Sequence, residues 1–125
     1  MVFTILLVED DEQLRNLFVK FLETKDFNVL ACDSVNGAKN LLAGDLEIQL
    51  VITDWNIIGG TGEEVIKKAL AMGIAADHIC VMTGFGITVD ERDQNFSKAR
   101  RLAPEAVLLT KPFRLKELDP FLTRL

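Results

Sequence analysis

Short apolar runs alternate with longer segments of helical period along the whole chain. The apolar runs cover residues 3–8, 27–32, 50–53, 78–83 and 106–110. Each run is continuously apolar, which is typical of strands buried on both faces of a parallel sheet. Helices between such strands cover the two faces of the sheet through right-handed crossovers. The pattern therefore predicts one α/β domain over residues 1–125, built as a doubly wound, three-layer sandwich.

Five parallel strands of this kind commonly take the flavodoxin-like order 2-1-3-4-5, which we predict here. Asp11, the pair Asp33-Ser34 and Thr61 are the predicted N-caps of the first three helices, because their side-chain oxygens can accept hydrogen bonds from first-turn amides. Gly44 and Gly73 are the predicted stops of the second and third helices. The stripe predicted to face the sheet from the first helix consists of Leu14, Leu17, Phe18, Phe21 and Leu22.

The last two helical segments are less regular. Residues 88–102 are highly charged and carry a thin apolar stripe, so we expect this helix to start late. In the final segment Pro120 lacks an amide hydrogen and clashes with the preceding turn, which predicts a kink or break near Asp119. The apolar face predicted for this segment consists of Leu115, Leu118, Phe121, Leu122 and Leu125.

Composition and charge narrow the possible partners. The 125 residues are 49% hydrophobic and 26% charged, which is typical of a packed globular domain. A net charge of −5 disfavours direct nucleic-acid contact or an anionic membrane surface. No apolar run approaches the roughly 18 residues of a membrane span, and the start lacks the basic residues of a signal peptide. Cys32 and Cys80 lie about 14 Å apart by strand spacing, too far for a disulfide, and are expected to be core thiols of a cytoplasmic protein.

Polar side chains gather where the predicted strands end. The first strand ends in Glu9 and Asp10, the third in Asp54, the fourth in Thr83 and the fifth in Lys111. In open α/β sheets, ligands bind outside the carboxyl ends of the strands, where the winding direction reverses. Asp10 and Asp54 fall on neighbouring strands about 4.8 Å apart, close enough to share one hard cation. An oxygen-only ligand set of this kind favours Mg²⁺.

The direct Mg²⁺ ligands are predicted to be Asp10 and Asp54, with the backbone carbonyl of Asn56 as the third. Glu9 would act through a bound water or as a base behind the ligands. Lys111 starts roughly 10 Å from Asp54 by strand spacing, a gap that the two side chains can bridge, and Thr83 adds a hydroxyl donor. Phosphoryl transfer needs a nucleophile, a divalent cation and fixed donors. The pattern predicts an aspartyl phosphate on Asp54.

These residues carry a family resemblance. The pair Glu9-Asp10, the run 54–56 with Gly62 eight residues after Asp54, the run 82–84 and the run 111–113 resemble the response-regulator receiver domain of two-component signalling, of the chemotaxis-regulator type. The resemblance implies that Asp54 accepts a phosphoryl group from a sensor histidine kinase or a histidine phosphotransfer protein. It implies a Mg²⁺ site, a phosphate-binding Lys111, and Thr83 as a switch hydroxyl, in a protein that is not a turnover enzyme.

The resemblance further implies that the face formed by the fourth helix, fifth strand and fifth helix rearranges, and that a cis peptide bond is permitted before Pro112. Three features of this sequence depart from the family pattern and affect the expected switch. Ile58 stands where the family usually has Pro, which predicts a looser loop; Leu108 replaces an aromatic residue that couples to the Thr. Lys111 follows Thr83 by 28 positions, roughly six more than expected. Phe85 is hypothesised to shield the acyl phosphate from water.

Other interpretations remain open. A degenerate receiver could serve as a constitutive interaction module, a flavodoxin-type cofactor binder would need a phosphate-binding loop after the first strand, and an Asp-nucleophile phosphatase usually wants a second carboxylate where Asn56 stands. Trp55 is expected to be partly exposed, and His78 to be structural or exposed. The charged run 90–101 is expected to be a solvated helix face, although Lys98, Arg100 and Arg101 could dock a partner.

Overall fold

A computed structural model describes residues 2–84 and 86–124 of the chain. Its main feature is a five-stranded parallel sheet, in which the order β2-β1-β3-β6-β7 is the predicted order 2-1-3-4-5 with two short strands counted between. The α/β flavodoxin-like fold is therefore confirmed. The strands of this sheet are β1 (Thr4–Val8), β2 (Asn28–Cys32), β3 (Leu50–Asp54), β6 (Ile79–Thr83) and β7 (Val107–Thr110).

In the described part of the chain, four α-helices connect the strands and a fifth follows the last strand. The caps Asp11, Ser34 and Thr61 are confirmed. Asp11 accepts a hydrogen bond from the Leu14 amide at 2.9 Å, Ser34 from the Gly37 amide at 3.0 Å, and Thr61 from the Glu63 amide at 3.3 Å. Two 3₁₀ turns, Ala76–His78 and Leu115–Leu118, precede β6 and the last helix. The helices are α1 (Glu12–Thr24), α2 (Val35–Leu42), α3 (Gly62–Ala71), α4 (Val89–Leu102) and α5 (Asp119–Leu122).

Apolar side chains form one cluster on each face of the sheet. On one face, Phe18 and Leu22 of α1 and Phe121 of α5 pack with alternate residues of β1, β3 and β6. On the other face, α2, α3 and the Ala99 end of α4 pack against the intervening positions of the same strands. All five residues of β1, β3 and β6 are buried, which explains their predominantly apolar sequences. The three layers hold the carboxyl ends of these strands at one edge.

Several finer predictions are corrected. Leu17 is 53% exposed, since it lies at the border of the α1 stripe and is not covered by the sheet. Trp55 is 3% exposed, not partly exposed, because it packs into the cluster beneath α2 and α3. The α4 helix does not start late, because Thr88 caps it by accepting from the Glu91 amide at 3.1 Å. Phe85 and Leu125 lie outside the described residues.

Other predictions for the helices hold, and the prediction of core thiols is confirmed for Cys80 but not for Cys32. Ala99 is the buried residue of α4 in the described part of the chain, so its apolar stripe is indeed thin. The predicted break occurs at Asp119, where the 3₁₀ turn passes into α5. Cys32 and Cys80 are free; Cys80 is fully buried, whereas Cys32 is only half-buried at the edge strand β2. Across residues 2–84 and 86–124, no helix is long and apolar enough to cross a bilayer.

The segment after β3 is not a loose loop. Residues Asn56–Ile57 (β4) and Gly60–Thr61 (β5) pair as an antiparallel hairpin, and Gly59 adopts a φ of 88° in its turn. The carbonyl oxygen of Ile58 accepts from the Val35 amide at 3.0 Å, which ties the hairpin to the start of α2. The prediction of a looser loop is therefore wrong, because glycine supplies the backbone conformation that a tight turn needs.

Candidate functional site

One cavity of about 500 Å³ opens at the carboxyl ends of β1, β3 and β6. All six residues predicted for the site line it, so the sheet brings together side chains that are far apart in sequence. An apolar wall from α1 and the segment after β7 completes the cavity. The predicted residues are Glu9, Asp10, Asp54, Asn56, Thr83 and Lys111.

The Lys111 ammonium is held between two carboxylates. Its Nζ lies 2.8 and 3.0 Å from the two Asp54 carboxylate oxygens and 2.7 Å from Glu9 Oε1. The Lys111 side chain is 11% exposed and that of Asp54 7% exposed, so water screens these contacts little. The ammonium is thus fixed beside the oxygens of Asp54.

Three carboxylates converge next to this ion pair. One carboxylate oxygen from each of Glu9, Asp10 and Asp54 lies within 4.8 Å of the others. Glu9 is fully buried, and its Oε2 has no hydrogen-bond partner within the described residues. Because a buried, unpaired carboxylate oxygen is costly, this oxygen indicates a position for a cation or donor. The oxygen donor set fits a hard divalent ion, with Asp10 on the exposed rim.

The crowded carboxylates perturb each other's protonation. Burial, reinforced by the neighbouring Glu9, raises the pKa of Asp54 to about 8. Burial would also raise the pKa of Glu9, but hydrogen bonds with Asp54 and Lys111 lower it overall. Burial would depress the pKa of Lys111, yet Asp54 and Glu9 raise it, and burial followed by the charge of Glu9 raises the pKa of Asp10. The site has more negative charge than one ammonium neutralises.

Backbone hydrogen bonds continue past the strand ends and fix the site residues. The Trp55 amide donates to the Met82 carbonyl at 2.9 Å, and the Lys111 amide donates to the Thr83 carbonyl at 2.8 Å. The Glu9 amide likewise donates to the Cys32 carbonyl at 3.0 Å. The site thus stands on regular structure rather than on mobile loops. The Lys111–Pro112 peptide bond that follows is cis.

Two further polar side chains, which the sequence pattern does not indicate, contact the site. Arg15 on α1 donates from Nη1 to the Glu9 carbonyl at 3.0 Å. Asn95 on α4 donates from Nδ2 to the Thr83 hydroxyl at 3.2 Å. Nothing in the sequence distinguishes Asn95 from the neighbouring Gln94, since both stand in a charged run that is typical of a solvated face.

The fold and the site together define the class of protein. It is a doubly wound α/β domain with an acidic pocket at the carboxyl ends of its strands, and a lysine closes that pocket. The family model for the response regulator receiver domain matches residues 5–122. The chain therefore belongs to the response-regulator receiver family. A comparison with curated proteins finds no match.

Solved structures share the fold. A response regulator receiver protein from Sinorhizobium medicae is 25% identical, with a TM-score of 0.80 over 98% of this chain and 93% of that chain. A CheY-like receiver domain protein from Methanospirillum hungatei is 18% identical, with a TM-score of 0.80 over 98% and 91%. A Burkholderia pseudomallei response regulator, whose structure has a phosphorylated aspartic acid, a calcium ion and citrate, is 16% identical, with a TM-score of 0.79 over 98% and 67%.

Proposed function

We propose that this receiver domain takes a phosphoryl group onto Asp54 from a phosphohistidine, carried by a sensor histidine kinase or a histidine phosphotransfer protein. The observation that carries the proposal is the Lys111 ammonium, held 2.8 and 3.0 Å from the Asp54 oxygens inside an acidic cavity. A cation at this distance neutralises charge on an incoming phosphoryl group, which is the main demand of phosphoryl transfer. The phosphorylated aspartate in the Burkholderia pseudomallei relative supports the same chemistry.

In the transfer step, an Asp54 carboxylate oxygen attacks the phosphorus in line with the phosphorus–nitrogen bond of the donor. The oxygen–phosphorus bond forms as that bond breaks, and its electron pair leaves on the imidazole nitrogen, which takes up a proton. Lys111 stays beside the oxygens of the new acyl phosphate, and the Thr83 hydroxyl donates to one of them. The protein thereby modifies itself and is not a turnover enzyme.

The surplus of negative charge calls for a divalent cation, and we propose Mg²⁺. When bound, Mg²⁺ neutralises phosphoryl oxygens that would otherwise be repelled by the carboxylates. Asp10 and Asp54 would hold the ion together with the Asn56 carbonyl. The Oε2 of Glu9, which has no hydrogen-bond partner within the described residues, favours a positive group nearby. We therefore assign Glu9 a role through a bound water or as a base behind the ligands.

The signal would leave through α4, β7 and α5, whose surface changes when Thr83 engages the phosphoryl group. This surface is highly charged on α4, where Asp90 and Glu91 begin the helix and Arg100 and Arg101 end it. Such a face suits a protein partner rather than a nucleic acid or a membrane, and we propose a cytoplasmic protein contact as the output.

A second candidate is a constitutive interaction module that is not switched by phosphorylation. Leu108 on β7 favours it, because this half-buried apolar side chain packs into the core and offers no polar group to Thr83.

Phosphorylation separates the two candidates. The full chain is incubated with acetyl phosphate, with and without Mg²⁺, and intact mass is measured. We expect a gain of one phosphoryl group that requires Mg²⁺ and is lost in Asp54→Asn. Asp45→Asn, at an exposed position after α2, is the matched control and should behave as the native chain. No gain under any condition would contradict the proposal and favour the constitutive module.

A further inference from the structure

The Thr83 hydroxyl has a partner on α4 as well as a place in the cavity. Thr83 is 3% exposed at the end of β6, and its Oγ1 accepts a hydrogen bond of 3.2 Å from Asn95 Nδ2. A hydroxyl group has one proton and two lone pairs. Because Asn95 uses only a lone pair, the proton stays free to donate to an oxygen of a phosphorylated Asp54. Both contacts can therefore exist together.

The first half of α4 is held to the sheet by few side chains. Ala99 is the buried residue of this helix within the described residues, and it lies near the C-terminal end. In the first two turns, Arg92 lies near Gly84, which follows β6, since a Cβ built at Gly84 would lie 3.4 Å from Arg92 Cδ. Asn95 stands one turn further on the same face. A helix anchored at one end and polar along the other can pivot when its polar contact moves.

On the neighbouring strand β7, Thr83 pairs in register with Thr110, whose side chain makes no hydrogen bond with Thr83 within the described residues. Leu108 pairs in register with Val81 of β6, and its half-buried side chain packs against the apolar cluster. An aliphatic group cannot accept or donate a hydrogen bond, so movement of the hydroxyl cannot be transmitted to β7 in this way. Among the described residues, the hydrogen bond from Asn95 is the side-chain hydrogen bond of Thr83 that leads to a surface element.

We propose that Asn95 is a positioning residue that links the Thr83 hydroxyl to α4, so that phosphorylation of Asp54 displaces the first half of this helix. The inference rests on the proposed function, since it needs the phosphoryl group to draw the hydroxyl inward. Asn95 keeps its hydrogen bond during this movement, and the helix follows. The exposed acidic start of α4 then changes its position relative to the rest of the surface.

Hydrogen exchange with mass spectrometry tests this on the full chain. Exchange of peptides covering residues 89–98 is measured with and without acetyl phosphate and Mg²⁺, at a phosphorylated fraction determined by intact mass. In the native chain we expect phosphorylation to change the exchange rate about fivefold, the scale of one net hydrogen bond. In Asn95→Ala we expect a change of less than about twofold at the same phosphorylated fraction. The matched control Gln94→Ala, at an exposed neighbouring position, should keep the native response.

The ratio of the exchange rate in the phosphorylated chain to that in the unphosphorylated chain distinguishes two roles of Asn95: coupling α4 to Thr83, and merely stabilising the helix. A merely structural Asn95 would raise exchange by the same factor in both states, leaving the ratio as in the native chain, and that result would overturn the inference. Asn95→Asp provides a second variant of the same shape, whose carboxylate must accept the Thr83 proton; we expect it to lose the response, and a native ratio would count against the inference. No mass gain in the native chain would instead overturn the proposed function, and this inference with it.

Discussion

Gly62, the first residue of α3, lies so close to Asp54 that a Cβ at Gly62 would stand 2.8 Å from the Asp54 carbonyl oxygen. The Gly62 amide donates to the adjacent Trp55 carbonyl, at 2.6 Å. The start of α3 therefore presses directly on the backbone that carries the proposed nucleophile. Absence of a side chain at this position is what permits the contact.

Gly62→Ala should accordingly destabilise the fold by about 2 kcal/mol, because backbone atoms must move to admit the methyl group. The measurement is urea unfolding followed by circular dichroism. Gly44→Ala is the control, since its Cβ would meet the nearest backbone oxygen at an ordinary 3.4 Å. Equal stability of the two variants would contradict the close packing described here.

Lys111→Met should destabilise the fold by about 3 kcal/mol at neutral pH without Mg²⁺, because it leaves the ionised carboxylate of Glu9 buried beside Asp54 without its cation. Chemical unfolding measures the difference. Lys67→Met removes an exposed pair with Glu63 and should cost less than about 1 kcal/mol. A similar loss of stability in both variants would mean that the buried contacts of Lys111 with Asp54 and Glu9 stabilise the fold no more than a surface ion pair.

The raised pKa of Asp54 has a definite consequence for stability. Its ordinary value is 3.8 and its value in the fold about 8, so the folded chain binds more protons than the unfolded chain between these limits. Stability without Mg²⁺ should therefore fall as pH rises from about 4 to about 8. Asp54→Asn removes this loss and should raise Tm at pH 8 by about 4 °C, the scale of 1 kcal/mol in a domain of this size.

Thermal scans of Asp54→Asn and the native chain at several pH values test this. The advantage of Asp54→Asn should vanish below about pH 3, where the native carboxyl group is protonated in both states. An advantage that does not vary with pH would show that the substitution acts through packing rather than through charge.

Asp10→Asn should weaken Mg²⁺ binding at least about tenfold, because it removes one of the converging carboxylates. Fluorescence of Trp55, the single tryptophan and the neighbour of Asp54, can follow the titration. Asp11→Asn should change the affinity by less than about threefold, since the Asp11 oxygen faces the Leu14 amide as a helix cap. Equal effects would mean that only net charge attracts the ion.

The strand ends and their chemistry could be predicted because topology alone places them together. A continuously apolar run such as β1 or β3 can be buried only in a covered parallel sheet, and the carboxyl ends of parallel strands share one edge. This is why Asp54 and Lys111, 57 positions apart, meet at 2.8 Å as expected. The site geometry follows from the order of the strands rather than from any local motif.

Side-chain direction in the connecting segments could not be predicted in the same way. Its position after a strand predicts a partly exposed Trp55, but Trp55 is buried in the cluster beneath α2 and α3, which depends on contacts with distant residues. The hairpin itself depends on Gly59 and on a hydrogen bond from α2. Asn95 has the local environment of any solvated helix residue, and only the position of α4 over Thr83 reveals its contact.

The full burial of Cys80 at the centre of the sheet makes its thiol a reporter of global opening. The side chain is 0% exposed and burial raises its pKa, so an alkylating reagent cannot reach a reactive thiolate while β6 remains in place. Alkylation of Cys80 would therefore record how often the whole sheet comes apart, whereas Cys32, half-buried at the edge strand, would respond to smaller openings. The unmodified chain thus carries two thiols whose alkylation rates report on unfolding: Cys32 on local unfolding and Cys80 on complete unfolding.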